Sequence, residues 1–414
     1  MNMIHSISCL GYRGFSTRQI LNLAIPNGTP GSGLTVLVGP NGGGKSSIVE
    51  CFNKISLARK NVSFSKGKRN LRAGDLVEIA ITSDEGQGTL RTSKGGSERT
   101  NPLDSCTYRL IELNNSDSSA FDKVMERVLG KPLQWTIDQE DNGNYYVKVT
   151  KHFGMQHNSD GLGEGILSLM FIVDALLGNN NELLVIDEPE LSLHPQLQRR
   201  LMDEILEKTK ESQVVISTHS PNMLSLESIS NGGTVSRVFE SSDGSKICAI
   251  DERSRKFISS VSHNLNNPHI MGTDARACFF AEDNLIITEG QEDVVLYPVI
   301  MRALGMDYYL PFFGFGAGGA SGIIEIAHLL QVLGFERIEA IYDGDKRADY
   351  DTFVKEFAGS RYKAWIIPTE DIRDKEHYEV ASKQGLLEKD RKTLKPEYAD
   401  QMGKIFKEME DFLK

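Results

Sequence analysis

A chain of 414 residues with a net charge of −11 and ordinary apolar and charged fractions has room for about two globular domains, each with its own core. No apolar run approaches the roughly 20 residues that span a bilayer, and the start MNMIHSISCLGYRGF lacks a basic-then-apolar export pattern. Five scattered cysteines without a CxxC pair point to a reducing, cytoplasmic setting and away from structural zinc, while the acidic balance argues against a surface coated for nucleic acid and leaves only local, metal-assisted grooves.

Strand-like runs alternate with turns up to Thr35-Val36-Leu37-Val38, which leads into GPNGGGKS at 39–46; Ser46 to Lys60 then reads as a helix. In this strand–loop–helix context Gly39, Gly42 and Gly44 let the backbone curl so that N–H groups face phosphate oxygens, and Asn41 and Ser47 fall in the same cradle. Lys45 is placed to reach the β- and γ-phosphates of ATP, and Ser46 to ligate Mg²⁺. Further strands are expected at LVEIAIT, YRLIEL and the pair LQWTID and YYVKVT around an Asp-Asn-Gly turn at 141–143. Leu162–Leu177 is a long apolar helical run, and Leu183–Ile186 and Val214–Ile216 are short apolar strands ending in polar residues. The first ends in Asp187, suited to holding magnesium, and Glu188, suited to polarising an attacking water; the second leads to His219, placed to sense the γ-phosphate. Taken alone, His219 reads as a satisfied histidine at a strand end; its place after the carboxylate strand favours the nucleotide role.

Asn231-Gly232-Gly233 and Asp243-Gly244 suggest hairpin turns in 226–251, and the polar stretch 252–275 reads as a connector. A second α/β rhythm begins at Asn284, with strands LIIT, IEAIY and AWIIP separated by helical segments at 292–304, 321–333 and 350–358. Glu289 follows the first of these strands, with Asp293 four residues on; Asp343 and Asp345 follow the second, with a glycine between. Hard oxygen ligands at the ends of adjacent parallel strands suit Mg²⁺ or Mn²⁺, which activate water and neutralise a phosphodiester. The plain alternative is that these acids merely finish strands in exposed turns. The predicted organisation is a nucleotide domain at 1–255, a connector at 256–277 and a metal-site domain at 278–414.

DEPELSLHPQLQ (187–198) and STHSP (217–221) resemble the corresponding segments of the ABC-type ATPases, in the branch of chromosome-maintenance and recombination ATPases. Gly163 and Gly165, within LGEGI, stand where that family has its signature loop, which implies a homodimer closing over two nucleotides. The family has serine where this chain has Gly163; Ser159 lies nearby, and no glutamine-loop residue is assigned. Only about 140 residues separate Lys45 from Asp187, without sustained heptads, so a long coiled-coil arm is excluded. Glu289, Asp343 and Asp345, bracketing FFGFGAGGASG (312–322), resemble a TOPRIM domain. The junction RACFFAEDNLIITEGQEDVVLYPVI (276–300) placed after an ABC ATPase resembles the OLD (overcoming lysogenization defect) nuclease family, related to Gabija-type and retron-associated antiphage nucleases.

The resemblance implies an α/β chain, an ABC-type P-loop ATPase followed by a Rossmann-like TOPRIM domain, acting as an ATP-controlled, metal-dependent DNA endonuclease in antiphage defence. Glu289, Asp293, Asp343 and Asp345 are its implied metal ligands, with Glu289 also able to serve in acid–base steps. Implied partners are DNA, a second copy, and a helicase or a reverse transcriptase with its DNA–RNA product. One departure stands out: PTEDIRD (368–374) carries Arg373 where the family's third acidic triplet has glutamate, leaving Glu370, Asp371 or Asp374 to supply a ligand. A scaffolding ATPase that binds without cutting is the alternative this departure favours. The lysine-rich tail 382–407 reads as a solvated helix of alternating charge, with DNA phosphate contact as the second reading.

Overall fold

The computed structural model describes residues 3–58, 62–64, 77–83, 90–94, 110–111, 113–115, 117–139, 145–150, 156–157, 164–178, 183–262, 270, 272–281, 283–306, 311–375 and 383–413. They form two compact units that divide after Ala249, where the sequence suggests 255. No helix among the described residues is long and apolar enough to cross a membrane.

The first unit runs β1 (Ile4–Leu10), β2 (Gln19–Asn22), β3 (Leu34–Val38), α1 (Lys45–Ala58), β4 (Val62–Phe64), β5 (Val77–Ser83) and β6 (Leu90–Lys94). It continues through α2 (Ser119–Leu129), β7 (Gln134–Gln139), β8 (Tyr145–Thr150), β9 (Gln156–His157), α3 (Glu164–Leu176), β10 (Leu183–Asp187) and α4 (Pro195–Lys208). β11 (Val214–Ser217), α5 (Leu226–Ser230), β12 (Thr234–Ser241) and β13 (Gly244–Ala249) complete it. The central sheet has the order β13-β12-β3-β11-β10-β6, parallel throughout except for β13. β3, β10 and β11 are buried along their whole lengths, which is why each reads as an unbroken apolar run and not as an alternating one. A second sheet, β2-β1-β5-β4, shares one core with α1 and the central sheet: Ile7 and Leu21 pack with Ile48, Phe52, Val185 and Val215.

Two expectations change here. Residues 110, 111 and 113–115 are helical where YRLIEL reads as strand; a short apolar run carries too little periodicity to separate the two. Asn231 caps α5 and does not open a hairpin, its N–H reaching back to Glu227 and Ser228, whereas Asp243-Gly244 does sit in the β12–β13 turn. β7 and β8 pair as the sequence suggests; the Asp-Asn-Gly turn between them lies outside the described residues.

The second unit opens with α6 (Glu252–Ser262), inside the expected connector. Its buried Ser254 and Ile258 fall on one face of an otherwise polar helix, so low mean hydropathy hid an amphipathic stripe. α7 (Thr273–Ala277) precedes a parallel three-stranded sheet, β14 (Leu285–Ile287), β15 (Ile338–Tyr342) and β16 (Tyr362–Ile366). α8 (Gln291–Ala303) and α9 (Ala320–Val332) lie between β14 and β15, and α10 (Arg347–Glu356) between β15 and β16. β17 (Asp371–Arg373) and β18 (Gly385–Leu387) pair separately, and α11 (Ala399–Leu413) follows, its Met402, Phe406 and Met409 buried against Ile286, Tyr297 and Ile341.

One buried group works against this unit. Glu339, in the middle strand, is fully buried, and neither carboxylate oxygen has a hydrogen-bond partner. Burial pushes its carboxyl up to about 9, with Lys363 across the strand pulling back. The unfolded chain releases this proton in the ordinary glutamate range, while the folded chain holds it to about pH 9. Stability therefore falls as pH rises across that window. Thermal melts from pH 5 to 9 are expected to show that decline in wild type and a flatter profile in Glu339→Leu, whose melting temperature at pH 8 rises by about 3–8 °C. Parallel profiles in the two proteins would rule this account out.

Candidate functional site

Sheet order builds the first cluster. β3, β11 and β10 are neighbours and parallel, so the loop after β3, His219 after β11 and Asp187-Glu188 at the end of β10 emerge on one edge. Gly39 opens the loop at φ +126, and a Cβ there would lie 2.3 Å from the Val238 carbonyl oxygen, so only glycine fits. Gly42 and Gly44 are also at positive φ, Asn41 and Gly42 are exposed, and Ser46 and Ser47 lie in the first turn of α1. Ser47 N–H donates to Gly44 O at 3.1 Å, and a helix start leaves its first N–H groups to meet an anion.

Lys45 is 4% exposed and its ammonium donates to the carbonyls of Gly39 (2.8 Å) and Pro40 (2.9 Å). Burial draws its pKa down to about 8 against the pull of Glu188, Asp187 and Glu190. Asp187 is 9% exposed, and its Oδ1 is buried without a partner. An orphaned carboxylate oxygen beside a phosphate loop is the donor that a nucleotide-bound Mg²⁺ requires. Glu188 adopts φ +50, uncommon for a residue with a side chain, and its N–H donates to Ser217 at 2.7 Å. Burial and the charge of Asp187 raise its carboxyl above the usual range, opposed by Lys45.

His219 Nε2 stands 3.6 Å from Glu188 Oε1, too far for a hydrogen bond. Burial, then the charge of Lys45, lowers its pKa against the pull of Asp187 and so favours the neutral ring. Gly165, in the first turn of α3, lies against Ser192, where a Cβ would meet the Ser192 carbonyl oxygen at 2.2 Å. Gly163 lies outside the described residues. Sequence reasoning missed Glu190 and Gln198, which hold the two loops together; both lie in the run 187–198, and their polarity alone gives no sign of burial.

The second cluster lies at the carboxyl ends of β14 and β15. Glu289 Oε1 accepts the N–H of Asp343 at 3.0 Å, joining the two strand ends. Asp293, 7% exposed, accepts the N–H of Gly290 at 2.8 Å and so caps its own helix. Asp343 is 8% exposed, and its carboxylate accepts no hydrogen bond among the described residues. Burial, followed by the charges of Glu289, Asp293, Asp371 and Asp345, pushes Asp343 up to about 9; burial likewise carries Asp293 to about 7 and raises Glu289.

Of the three candidates near Arg373, Asp371 is the one that joins this cluster: it is 2% exposed and acts on both Asp343 and Asp293. Glu370 is exposed and accepts from Gln384, while Asp374 is held by Lys395 at 2.8 Å. Arg373 pairs with Glu292 at 2.5 Å. Lysines already sit on two of the carboxylates: Lys383 on Asp345 at 2.5 Å, and Lys375 on Asp371. Burial would raise Asp345, but hydrogen bonds from Lys383 and Lys346 outweigh it and hold the carboxyl below the usual range. Among the described residues no three carboxylate, histidine or cysteine side chains stand in a metal-holding arrangement as they are.

A family described as "AAA domain, putative AbiEii toxin, Type IV TA system" matches residues 90–225. A phosphate import ATP-binding protein (PstB 2) of Aliivibrio fischeri is 26% identical over 218 residues, covering 51% of this chain and 72% of that protein. The Old nuclease of Escherichia phage P2 is 29% identical over 127 residues, 30% of this chain and 21% of the nuclease. The chain thus spans about a fifth of that nuclease's length. Among solved structures, an Smc head domain from Pyrococcus furiosus is 11% identical with a TM-score of 0.42, covering 63% of this chain and all of that one.

Proposed function

We propose, from the match of residues 90–225 to an AAA-type family together with the phosphate loop ahead of them, that the chain is an ATP-controlled, divalent-metal-dependent DNA endonuclease of the OLD type, acting in antiphage defence. Lys45 binds the β- and γ-phosphates, Ser46 and Asp187 hold the nucleotide's Mg²⁺, Glu188 polarises the attacking water and His219 contacts the γ-phosphate. Gly163 and Gly165 belong to the loop that meets the ATP of a second copy, so nucleotide binding closes a homodimer.

The observation that supports the nuclease reading is the placement of Glu289 and Asp343 at the ends of the adjacent parallel strands β14 and β15, with the charges of Asp293 in α8 and Asp371 in β17 acting on the buried Asp343. Burial and mutual repulsion disfavour ionising Glu289, Asp293 and Asp343 together, a cost that a bound cation would offset. Their hard oxygens suit Mg²⁺ or Mn²⁺, held by Glu289, Asp343 and Asp345 with Asp293 or Asp371; the bound ion supplies charge neutralisation and an acidified water. Glu289, its carboxyl raised by burial, exchanges a proton at Oε2 while its Oε1 stays on the Asp343 N–H. Asp345, which accepts from Lys346 and Lys383, lies near enough for its charge to act on Glu289 and Asp343.

The second reading, a regulatory ATPase that binds a partner or nucleic acid without cutting, is favoured by the ammonium groups already seated on Asp345 and Asp371. Plasmid cleavage by the purified chain with Mg²⁺ or Mn²⁺, with and without ATP, separates the two. Wild type is expected to cut, and Glu289→Ala to cut at least about 10³-fold more slowly. Equal cutting by both proteins would remove the assignment of this site, and no cutting in any lane would transfer the conclusion to the second reading.

A further inference from the structure

Past the ends of β10 and β11 the backbone ladder stops after Glu188 N–H meets Ser217, and the N–H of His219 has no strand to pair with. Glu190 takes that N–H on Oε1 at 2.6 Å, across two loops and 29 residues of chain. A carboxylate acceptor makes this bond roughly twice as strong as a neutral one. Glu190 sits two residues after Glu188 in a turn fixed by Leu191 N–H to Glu188 O (3.1 Å) and Leu193 N–H to Glu190 O (3.0 Å). The same two loops are braced a second time by Gln198, which is 8% exposed. Its Nε2 donates to Leu193 O at 2.8 Å, and its Oε1 accepts from Ser220 Oγ at 2.6 Å and Asn222 Nδ2 at 3.3 Å. Every donor and acceptor of that amide points at one loop or the other.

We propose that Glu190 is a positioning residue for ATP hydrolysis, tying His219 to the turn that carries Glu188 so that the γ-phosphate sensor and the water-polarising carboxylate keep one geometry. Gln198 holds the remainder of the His219 loop in the same frame. In this role Glu190 acts through its bond to the His219 N–H and takes no part in the chemistry itself. A catalytic group misplaced by about 1 Å loses on the order of 10²-fold in rate while ground-state binding is retained, so the effect falls on kcat and not on KM. The proposal rests on the assignment of Glu188 and His219 to ATP hydrolysis.

The test is a double-mutant cycle in the full chain with ATPase rate and KM as readouts. Glu190→Ala and Glu190→Asp (which keeps the charge but withdraws it by one methylene) are expected to lower kcat about 10–50-fold with KM within about threefold. Glu190→Gln, which keeps the carbonyl acceptor, returns kcat to within about threefold of wild type. In a His219→Ala background, Glu190→Asp changes the rate less than about twofold, because nothing is left to position. Effects that multiply in the double variant, or a raised KM at unchanged kcat, would overturn the role of Glu190 and leave His219 in place. Full turnover in His219→Ala alone would instead remove the His219 assignment, and this proposal with it.

Discussion

Glu188→Gln is expected to slow ATP turnover by about 10²–10³-fold while leaving ATP affinity within about threefold of wild type. The substitution keeps volume and shape, so the backbone at φ +50 and its N–H bond to Ser217 remain. What disappears is the carboxylate that faces the His219 ring, 3.6 Å from Nε2, and with it the group assigned to polarise water; Glu190 is already engaged on the His219 N–H. Binding is spared because Lys45 and the glycine loop are untouched, and because removing a charge next to Asp187 relieves repulsion. The pH profile gives a second readout. Burial and the Asp187 charge set the Glu188 carboxyl above the ordinary glutamate range, so the acidic limb of kcat in wild type lies above that range and vanishes in the variant. Measuring kcat from pH 5 to 9 together with the affinity for a fluorescent ATP analogue decides the matter. Unchanged turnover would remove Glu188 from catalysis, and lost affinity would make it a binding residue.

Features encoded by local pattern were legible in the sequence. Thr35–Val38, Leu183–Ile186 and Val214–Ile216 are strands because residues buried on both faces of a parallel sheet must all be apolar. The residues after each strand were singled out by type and spacing, and the sheet order brings them to one edge. Spatial order was not legible: β11 lies between β3 and β10 although it follows both in the chain, and no local signal fixes that insertion. Polar residues that hold loops together were also hidden, since Glu190 and Gln198 look the same on paper whether solvated or buried. Glu339 read as an ordinary strand position because composition does not report a missing partner. Around Arg373 the sequence left three carboxylates open, and burial separates Asp371 from the exposed Glu370 and the lysine-bound Asp374.

Asp343→Asn is expected to move stability and cleavage in opposite directions. Four carboxylates act on Asp343, whose own oxygens receive no hydrogen bond among the described residues; lysines sit on Asp345 and Asp371 but none on Asp343, so the cost of the cluster falls on it. Asparagine removes one member of that cluster at nearly constant volume and adds an amide able to donate to its neighbours. The Asp343 N–H bond to Glu289 belongs to the backbone and survives. Without divalent metal the variant should therefore melt about 2–4 °C above wild type. A ligand that binds only the folded state stabilises it in proportion to the logarithm of its concentration over its dissociation constant. Added Mn²⁺ should thus raise the melting temperature of wild type and leave the variant nearly unchanged, and DNA cleavage should fall at least about 10³-fold. A strand-end aspartate that only finishes its turn predicts the reverse pattern: a lower melting temperature, the same response to Mn²⁺, and cleavage within a few-fold of wild type. The sign of the metal-free shift separates these accounts before any nuclease assay, because only a carboxylate retained for function at the expense of folding gains stability when its charge is removed.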